Sequence, residues 1–362
     1  MSHRGPARTP ARSSSARRSG LLVVAVAGLA LLLAATAFAG APHLLNGTVG
    51  THLSPDRSPR GGPAASPLGG APPLASPSPS LASPSQPPAR SSGQLASPSQ
   101  PPAAIAWPQR GQAAYALGDA PPEASPNEQP VPIASLAKVM TAYLTLKDYP
   151  LIGNEDGFTI IVTAAQAQAE AEDAAQRQSV VAVRAGEQLT ERQLLEGLLV
   201  PSGDNIAWML ATQVGGSDAA FLADMNAEAR ALGMSSTTYT DPSGFYPSTV
   251  STAADQLRLF QRAMSSPAFD QIVSMPSVTL PIAGTLRNFD PLIAEGYDGK
   301  TGSDLAAGGC LAFFTHVTVG GSPLTLAGVV MGQGEGRDTS ALLAAAGEAA
   351  EQLVDSATVA AR

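Results

Sequence analysis

The chain reads Pro132-Ile133-Ala134-Ser135-Leu136-Ala137-Lys138-Val139-Met140 where its first clear helical pattern begins. Apolar residues recur at spacings of one, three and four as far as Leu144, which predicts an amphipathic helix that runs to about Lys147. Ser135 falls in the first turn, where serine commonly caps a helix. Lys138 lies three residues later on the same helix face. A neutral lysine amine there could accept the hydroxyl proton and make Ser135 a nucleophile.

The small number of lysines in the chain bears on whether Ser135 is a helix cap or a nucleophile. There are only three lysines, Lys138, Lys147 and Lys300, and arginine supplies the remaining side-chain positive charge. Arginine does not deprotonate in proteins, so only a lysine side chain could serve as a basic amine here. A Ser-x-x-Lys pair alone is weak evidence, because average composition predicts about one in a chain of this length.

Charge divides the chain into two parts. Residues 1–104 carry a net charge of +7 and the remainder −15, which together make the net charge of −8. The globular part is therefore acidic. Because phosphate contacts need clustered lysine and arginine, this balance argues against nucleic-acid binding.

The N-terminal region predicts export. The basic residues 1–20 precede an uncharged apolar run, residues 21–39, which has the features of a signal peptide or a signal anchor. Ala37-Phe38-Ala39 offers a cleavage site, but the run exceeds a usual signal-peptide core, so we favour an anchor. The arginines then stay in the cytoplasm and the rest of the chain lies outside the cell. A cleaved signal, with secretion into the cell wall, is the alternative.

Residues 40–103 are rich in Pro, Ser, Ala and Gly, and the sequence Leu-Ala-Ser-Pro-Ser occurs three times. Such a segment cannot bury a core, so we expect a disordered, semi-rigid linker. It would either extend the protein through a cell wall or have no role beyond connection. Residues 104–362 have a globular composition and form the expected catalytic domain.

Cysteine and histidine limit the chemistry. Cys310 is the only cysteine, and His316 is the only histidine after residue 104. No intrachain disulfide and no multi-histidine metal site can form, so we expect no metal or other cofactor. A Ser-His-Asp mechanism would have to use His316, which we expect to be structural.

The order of predicted elements indicates an α+β fold. Strands at the two ends flank a helical middle, which suggests an antiparallel sheet built from N- and C-terminal strands with an inserted helical lobe. A strand pair is expected within 104–117, helices within 190–264, strands at 299–303, 311–319 and 324–331, and a final helix at 340–354.

Two further motifs follow the Ser-x-x-Lys pair. Ser202-Gly203-Asp204-Asn205 lies between two predicted helices, and Lys300-Thr301-Gly302 precedes the C-terminal strands. Each is weak alone, since Ser-Gly-Asp is a common turn. Together and in this order they are typical of penicillin-binding proteins and β-lactamases.

The resemblance is to the low-molecular-mass penicillin-binding proteins of the D-alanyl-D-alanine carboxypeptidase family, and it covers about 133–331. Its further motifs include Val183-Arg184-Ala185-Gly186-Glu187, Leu232-Gly233-Met234, Thr240-Asp241-Pro242-Ser243-Gly244 and Ser251-Thr252-Ala253-Ala254-Asp255. The resemblance implies the serine β-lactamase/DD-peptidase fold. It also implies a serine D-Ala-D-Ala carboxypeptidase that trims peptidoglycan stem peptides and is acylated by β-lactams.

The resemblance also implies roles for individual residues. Ser135 would attack the carbonyl between two D-alanines with Lys138 as base. Ser202 would relay a proton to the leaving amine. Lys300 and Thr301 would bind the terminal carboxylate, and the charge on Lys300 would help to keep Lys138 neutral.

Two backbone roles complete this expectation. The oxyanion would lie between the backbone N–H groups of Ser135 and Ser303. Gly302 would let the substrate lie close against the strand.

The middle motif departs from the family pattern, which usually has Asn at its third position. Here Asp204 occupies it and Asn205 follows. Either side chain could face the site and contact substrate. An aspartate there would favour the charged form of Lys138 and weaken it as a base.

Three other functions remain open. A serine β-lactamase of class A needs a glutamate for deacylation, and the only glutamates between residues 205 and 300 are Glu228 and Glu295. An inactive relative would bind peptidoglycan without forming an acyl-enzyme. An endopeptidase or transpeptidase would use the same chemistry on crosslinked stems.

Overall fold

The computed structural model describes residues 104–362. The described residues lie within one compact unit. The sequence-based predictions for residues 1–103, namely the basic N-terminus, the apolar segment and the Pro-rich linker, lie outside the described residues and stay predictions. Within residues 104–362, no helix is both long and apolar enough to cross a membrane.

Eleven strands and eight α-helices are described, numbered along the chain. They are β1 (Gln112–Leu117), β2 (Glu123–Ala124), β3 (Val131–Pro132), α1 (Ala137–Asp148), β4 (Thr159–Ile161), α2 (Ala164–Ala175), β5 (Gln188–Thr190), α3 (Glu191–Leu199), α4 (Asp204–Gly215), α5 (Asp218–Ala231), β6 (Val250–Ser251), α6 (Ala253–Met264), α7 (Pro267–Val273), β7 (Ser277–Leu280), β8 (Gly284–Arg287), β9 (Asp298–Asp304), β10 (Gly308–Val319), β11 (Ser322–Gln333) and α8 (Thr339–Ala360). Short 3₁₀ turns occupy Ala134–Leu136 and Ile293–Glu295.

The two ends of the described chain meet in one antiparallel sheet. Its strand order is β2-β1-β11-β10-β9, and β1 pairs with β11 from Gln112 opposite Met331 to Leu117 opposite Leu326. The helical segments α1 to α7 lie between these strands in sequence. The α+β fold with an inserted helical lobe is therefore confirmed.

Alternation along β10 gives the sheet two apolar faces. Leu311 and Phe313 belong to the core beneath α8, whereas Cys310 and Ala312 belong to the core shared with the helical lobe. This period-two pattern is the one that a strand buried on both faces requires. Cys310 is a packed strand residue, as expected, and burial raises the pKa of its thiol to about 12.

Helix ends follow the local sequence. Thr190 and Gln193 form a reciprocal capping box at the start of α3, and the Ser217 hydroxyl caps α5. Thr252 caps α6 in the same way. The hydroxyls accept bonds from N–H groups that would otherwise lack an intrahelical partner.

Helix α1 differs from the one-sided amphipathic helix that its sequence suggests. Nine of its twelve residues are buried, among them Lys138, Thr141 and Thr145. The Thr145 hydroxyl donates to the backbone oxygen of Thr141, so it remains satisfied inside the lobe. Helix α1 is thus the central helix of the lobe, and it carries the Ser-x-x-Lys lysine into the core.

Four further details correct the sequence-based prediction. The strand pair expected within 104–117 is a single strand, β1. No strand precedes Gln112 among the described residues, because Pro108 lacks an N–H and Gly111 turns the chain with φ +70°. Helix α2 was not predicted because its half-buried positions are mostly polar, so its sequence shows no apolar stripe; three of them are Gln166, Glu170 and Asp173. The hairpin of β7 and β8 and helix α7 were also not predicted.

Candidate active site

The nucleophile candidate lies on a strained turn. Ser135 is half-buried in the 3₁₀ turn before α1, and Ala134 before it has φ +45°. The residue that caps α1 is Leu136, and no side chain makes a capping bond there. The alternative of Ser135 as a helix cap is therefore wrong. Left-handed backbone at a non-glycine residue is costly and concentrates at functional sites.

Lys138 is fully buried beside this hydroxyl. Its Nζ lies 2.7 Å from Ser135 Oγ, 2.5 Å from Asp204 Oδ1 and 3.0 Å from the backbone oxygen of Ser243. Three acceptors match the three N–H groups of an ammonium. The amine therefore has no freedom to point elsewhere, and one of its three partners is the candidate nucleophile.

The structure shows which residue of the middle motif faces Lys138. Asp204, the first residue of α4, also accepts from the backbone N–H of Ser179 through Oδ2. Asn205 points to the neighbouring segment, where its amide pairs with both backbone groups of Val181. Burial raises the pKa of Asp204, and the charge and hydrogen bond of Lys138 oppose only part of that rise.

A second buried lysine lies opposite the first. Lys300 Nζ donates to Ser202 Oγ at 2.9 Å and to the backbone oxygen of Thr301 at 2.7 Å. Burial, and then the charge of Lys138, lower the pKa of Lys300 well below its ordinary value. Ser202 has φ +65°, so the middle motif is strained as the Ser135 turn is.

Strand β9 brings its Lys-Thr-Gly motif against the Ser135 turn. It is an edge strand of the five-stranded sheet. A Cβ on Gly302 would lie 3.0 Å from the backbone nitrogen of Ser135 and 3.1 Å from the backbone oxygen of Ile133. The absence of a side chain is what permits this approach. Thr301 is buried, and Ser303 beyond it is partly exposed.

One partner of Lys138 had not been assigned a role from the sequence. The backbone oxygen of Ser243 comes from the loop 241–246, between α5 and β6. A carbonyl oxygen carries no residue-type signal. In the sequence, the residues Asp241-Pro242-Ser243-Gly244 favour turns and so indicate only that a tight loop lies here.

His316 forms no hydrogen bond with Ser135 or Lys138 among the described residues. His316 is exposed on β10, and its nearest recorded polar partner is Thr325 Oγ1 at 3.5 Å from Nδ1. Between residues 104 and 362, no group of three or more metal-ligating side chains is arranged to hold an ion.

A serine hydroxyl against a buried lysine, on a helical lobe inserted into an antiparallel sheet, defines the class of Ser-x-x-Lys enzymes. The sequence model of the D-alanyl-D-alanine carboxypeptidase family matches residues 123–334. The chain belongs to this family.

Individual relatives agree with this assignment. A D-alanyl-D-alanine carboxypeptidase of Mycobacterium tuberculosis is 37% identical over 185 residues, 49% of this chain and 59% of the relative. A D-alanyl-D-alanine endopeptidase of Pseudomonas aeruginosa is 33% identical over 206 residues, 54% of this chain and 62% of the relative. The chain thus spans about three fifths of the length of these relatives.

Solved structures share the fold. A crystal structure of a D-alanyl-D-alanine carboxypeptidase from Mycobacterium tuberculosis is 31% identical, with a TM-score of 0.56 over 71% of this chain and 95% of that one. The Streptomyces K15 DD-transpeptidase is 24% identical, with a TM-score of 0.59 over 70% of this chain and 98% of that one. The second similarity concerns the fold alone.

Proposed function

We propose that the protein is a serine D-Ala-D-Ala carboxypeptidase that removes the terminal D-alanine from peptidoglycan stem peptides through an acyl-enzyme on Ser135. The observation that carries the proposal is the 2.7 Å contact between Ser135 Oγ and the fully buried Nζ of Lys138. Family membership supplies the substrate class. The same chemistry makes β-lactams acylating inhibitors.

In the first step, Ser135 Oγ attacks the carbonyl carbon between the two D-alanines while its proton passes to Lys138 Nζ. The carbonyl oxygen becomes an oxyanion, for which the backbone N–H of Ser135 is one donor and that of Ser303 the proposed second. Gly302 keeps strand β9 close enough for both donors to reach one atom.

In the second step, the carbon–nitrogen bond breaks and the leaving D-alanine amine takes a proton. Ser202 is the proposed relay, because its hydroxyl contacts Lys300 and lies on the motif that adjoins Lys138. Water then attacks the acyl carbonyl, with Lys138 again accepting a proton. Ser135 is released and the shortened stem peptide leaves.

Lys300 and Thr301 form the proposed subsite for the terminal carboxylate. Two N–H groups of Lys300 have protein acceptors, which leaves one N–H of the ammonium for a ligand. Because burial lowers the pKa of Lys300, an arriving carboxylate would favour its charged form. Carboxylate binding and protonation of Lys300 are therefore expected to be coupled.

Asp204 and Asn205 have different proposed roles. Asp204 contacts Lys138 and modulates the base, whereas Asn205 holds the segment around Val181 and acts only on structure. The ion pair with Asp204 is also the one observation that favours an inactive, peptidoglycan-binding relative. It stabilises the ammonium form of Lys138, which cannot accept a proton.

A β-lactamase is less well supported. Glu228 is paired with Lys147 near the end of α1, and Glu295 lies in the exposed 3₁₀ turn before β9. Neither glutamate contacts Ser135 or Lys138 in the part of the chain that the structure describes.

The compartment follows from the substrate. Peptidoglycan stem peptides lie outside the cytoplasm, so we propose that the catalytic domain acts there. Attachment through residues 21–39, or cleavage after Ala39, stays a prediction from the sequence.

Intact-mass measurement after exposure to penicillin tests the proposal. The wild type should gain the mass of one penicillin, and Ser135→Ala should gain none. Incubation with a stem pentapeptide should release free D-alanine. An adduct that persists in Ser135→Ala would refute the assignment of the nucleophile.

Other outcomes separate the alternatives. Absence of any adduct would favour the inactive relative, and rapid steady turnover of penicillin would favour a β-lactamase. Cleavage of crosslinked stems in preference to the pentapeptide would favour an endopeptidase.

A further inference from the structure

Asp241 is a buried carboxylate without a cationic partner. It forms no ion pair within residues 104–362, and it is fully buried. Its two oxygens accept six hydrogen bonds instead, at donor–acceptor distances of 2.5–3.2 Å. The donors are the backbone N–H groups of Ser243, Gly244, Phe245 and Tyr246 and the hydroxyls of Ser243 and Thr249.

These bonds fold the loop 241–246 around the carboxylate. A carboxylate can accept several hydrogen bonds at once, so it can hold several backbone N–H groups around one point. The loop has little freedom, because four consecutive N–H groups share one acceptor group. Its shape is therefore set by Asp241 and not by packing of its own apolar side chains.

The folded loop is held against the Ser135 turn. Gly244 has φ +83°, and a Cβ on it would lie 1.8 Å from the backbone oxygen of Ala134. The hydroxyl of Thr141 on α1 donates to the backbone oxygen of Pro242 at 2.7 Å. These two contacts fix the carbonyl of the next residue, Ser243, against Lys138.

The donor and acceptor inventory around Lys138 then gives this carbonyl a role. A neutral amine has two N–H groups and one lone pair. The backbone oxygen of Ser243 can only accept, at every pH, and an ionised Asp204 can only accept as well. Ser135 Oγ is the one partner that can donate. With two N–H groups directed to Ser243 and Asp204, the lone pair must face the hydroxyl of Ser135.

We infer that Asp241 is a positioning residue for the Ser135–Lys138 pair, acting through the carbonyl of Ser243, which directs the lone pair of Lys138 to the nucleophile. This inference rests on the proposed function, in which Lys138 is the base. Asp241 touches neither the substrate nor the reacting atoms in this scheme.

The charge of Asp241 acts separately from its position. Its charge contributes to the raised pKa of Asp204 on α4. Removal of this charge should therefore act on the pH midpoint of acylation. Loss of position should instead lower the rate on the alkaline plateau, where the base is already deprotonated.

The test is the pH profile of penicillin acylation, normalised to the folded fraction. Asp241→Ala should lower the plateau rate about tenfold or more, because reacting groups lose alignment. Thr141→Val removes the bond to Pro242 without a change in charge and should lower the plateau several-fold with an unchanged midpoint. Asp241→Asn keeps one acceptor oxygen and should restore much of the rate.

Asp255→Ala is the matched control. Asp255 is also a buried carboxylate, and it accepts from the backbone N–H of Ser236 and the hydroxyl of Thr237 at 2.9 Å. It has no contact with Lys138. Its replacement should lower the melting temperature but leave the plateau rate of folded protein unchanged. Equal plateau rates in wild type, Asp241→Ala and Thr141→Val would overturn the inference.

A second readout does not depend on peptidase activity. In a Ser135→Cys background, the ammonium of Lys138 should stabilise the thiolate of the introduced cysteine. The pH dependence of its alkylation by iodoacetamide then reports the contact between the sulfur and Lys138 Nζ. Cys310 is buried and should react slowly. Adding Thr141→Val should raise the midpoint pH of alkylation, whereas adding Asp255→Ala should not.

The two readouts separate the two proposals. If the wild type forms no penicillin adduct but the alkylation midpoint responds to Thr141→Val, the proposed function fails and the positioning role stands. If the adduct forms and neither readout responds, the positioning role is wrong and the proposed function stands.

Discussion

Asp204→Asn is the substitution that most directly tests how the base is controlled. Asp204 Oδ1 lies 2.5 Å from Lys138 Nζ, and both groups are buried. The carboxylate therefore favours the ammonium form, which cannot act as a base. Replacement by the isosteric amide keeps an acceptor oxygen but removes the charge. The deprotonated amine, and with it acylation of Ser135, should then appear at lower pH.

The size of the shift follows from the contact. An opposite charge within about 4–6 Å shifts the pKa of its neighbour by about one to three units, and burial of both groups limits screening by solvent. The midpoint of the acylation profile should therefore move down by about one to three pH units. Because Asp204 Oδ2 also accepts from the backbone N–H of Ser179 at 3.1 Å, an amide nitrogen there should lower the melting temperature.

The assay is the rate of acylation by a fluorescent penicillin, followed between about pH 6 and pH 10, a range that spans the expected titration. Acylation near pH 7 should be faster in Asp204→Asn than in wild type. Asp218→Asn, on an exposed part of α5, controls for the change in net charge. Asn205→Ala should affect stability while the midpoint stays in place.

Two results would refute this reasoning. An unchanged midpoint in Asp204→Asn would show that its charge does not act on the base. An upward shift would show that the carboxylate takes part in proton transfer, so that its loss removes a catalytic group.

Three substitutions test other contacts. Lys138→Arg should lower the acylation rate by about a hundredfold or more, because arginine cannot act as a base; a rate near that of wild type would exclude Lys138 as the base. Gly302→Ala should lower the acylation rate by about tenfold to a hundredfold. The added Cβ would lie 3.0 Å from the backbone nitrogen of Ser135 and would push β9 away from it. The measurement is the acylation rate divided by the folded fraction. Burial raises the pKa of Glu191 from 4.5 to about 7, so the folded protein holds a proton that the unfolded chain loses. The free energy of unfolding should therefore fall as pH rises through that interval. In Glu191→Gln, the free energy of unfolding from urea denaturation should depend less on pH. Identical pH dependence in both proteins would contradict this account.

The comparison of sequence with structure is most informative for the sheet. The period-two pattern in β10 and β11 and the Gly-Ser-Pro turn between them predicted the hairpin, because strand periodicity is local. Closure of the sheet by β1 was expected because predicted strands lie at both ends of the globular sequence, although β1 itself is almost entirely buried and shows no alternation. Helix α2 was missed because the face that it turns to the protein is mostly polar and leaves no apolar periodic signal.

The sequence by itself determined the class of site. Ser135 and Lys138 are three residues apart, in a 3₁₀ turn that leads directly into α1, so their contact follows from local helical geometry. The order of the three motifs and the scarcity of lysine identified the two amines that matter. Thr190 and Thr252 set the starts of their helices through their own hydroxyls.

Only the tertiary structure decided the environment of the base. Consecutive residues of a helix project about 100° apart, so Asp204 and Asn205 could not both face Lys138, and the packing of α4 against α1 selects Asp204. The third partner of Lys138 is the carbonyl of Ser243, 105 residues away in sequence. Every residue carries such an oxygen, so its position depends on the loop that Asp241 folds and cannot be read from residue types.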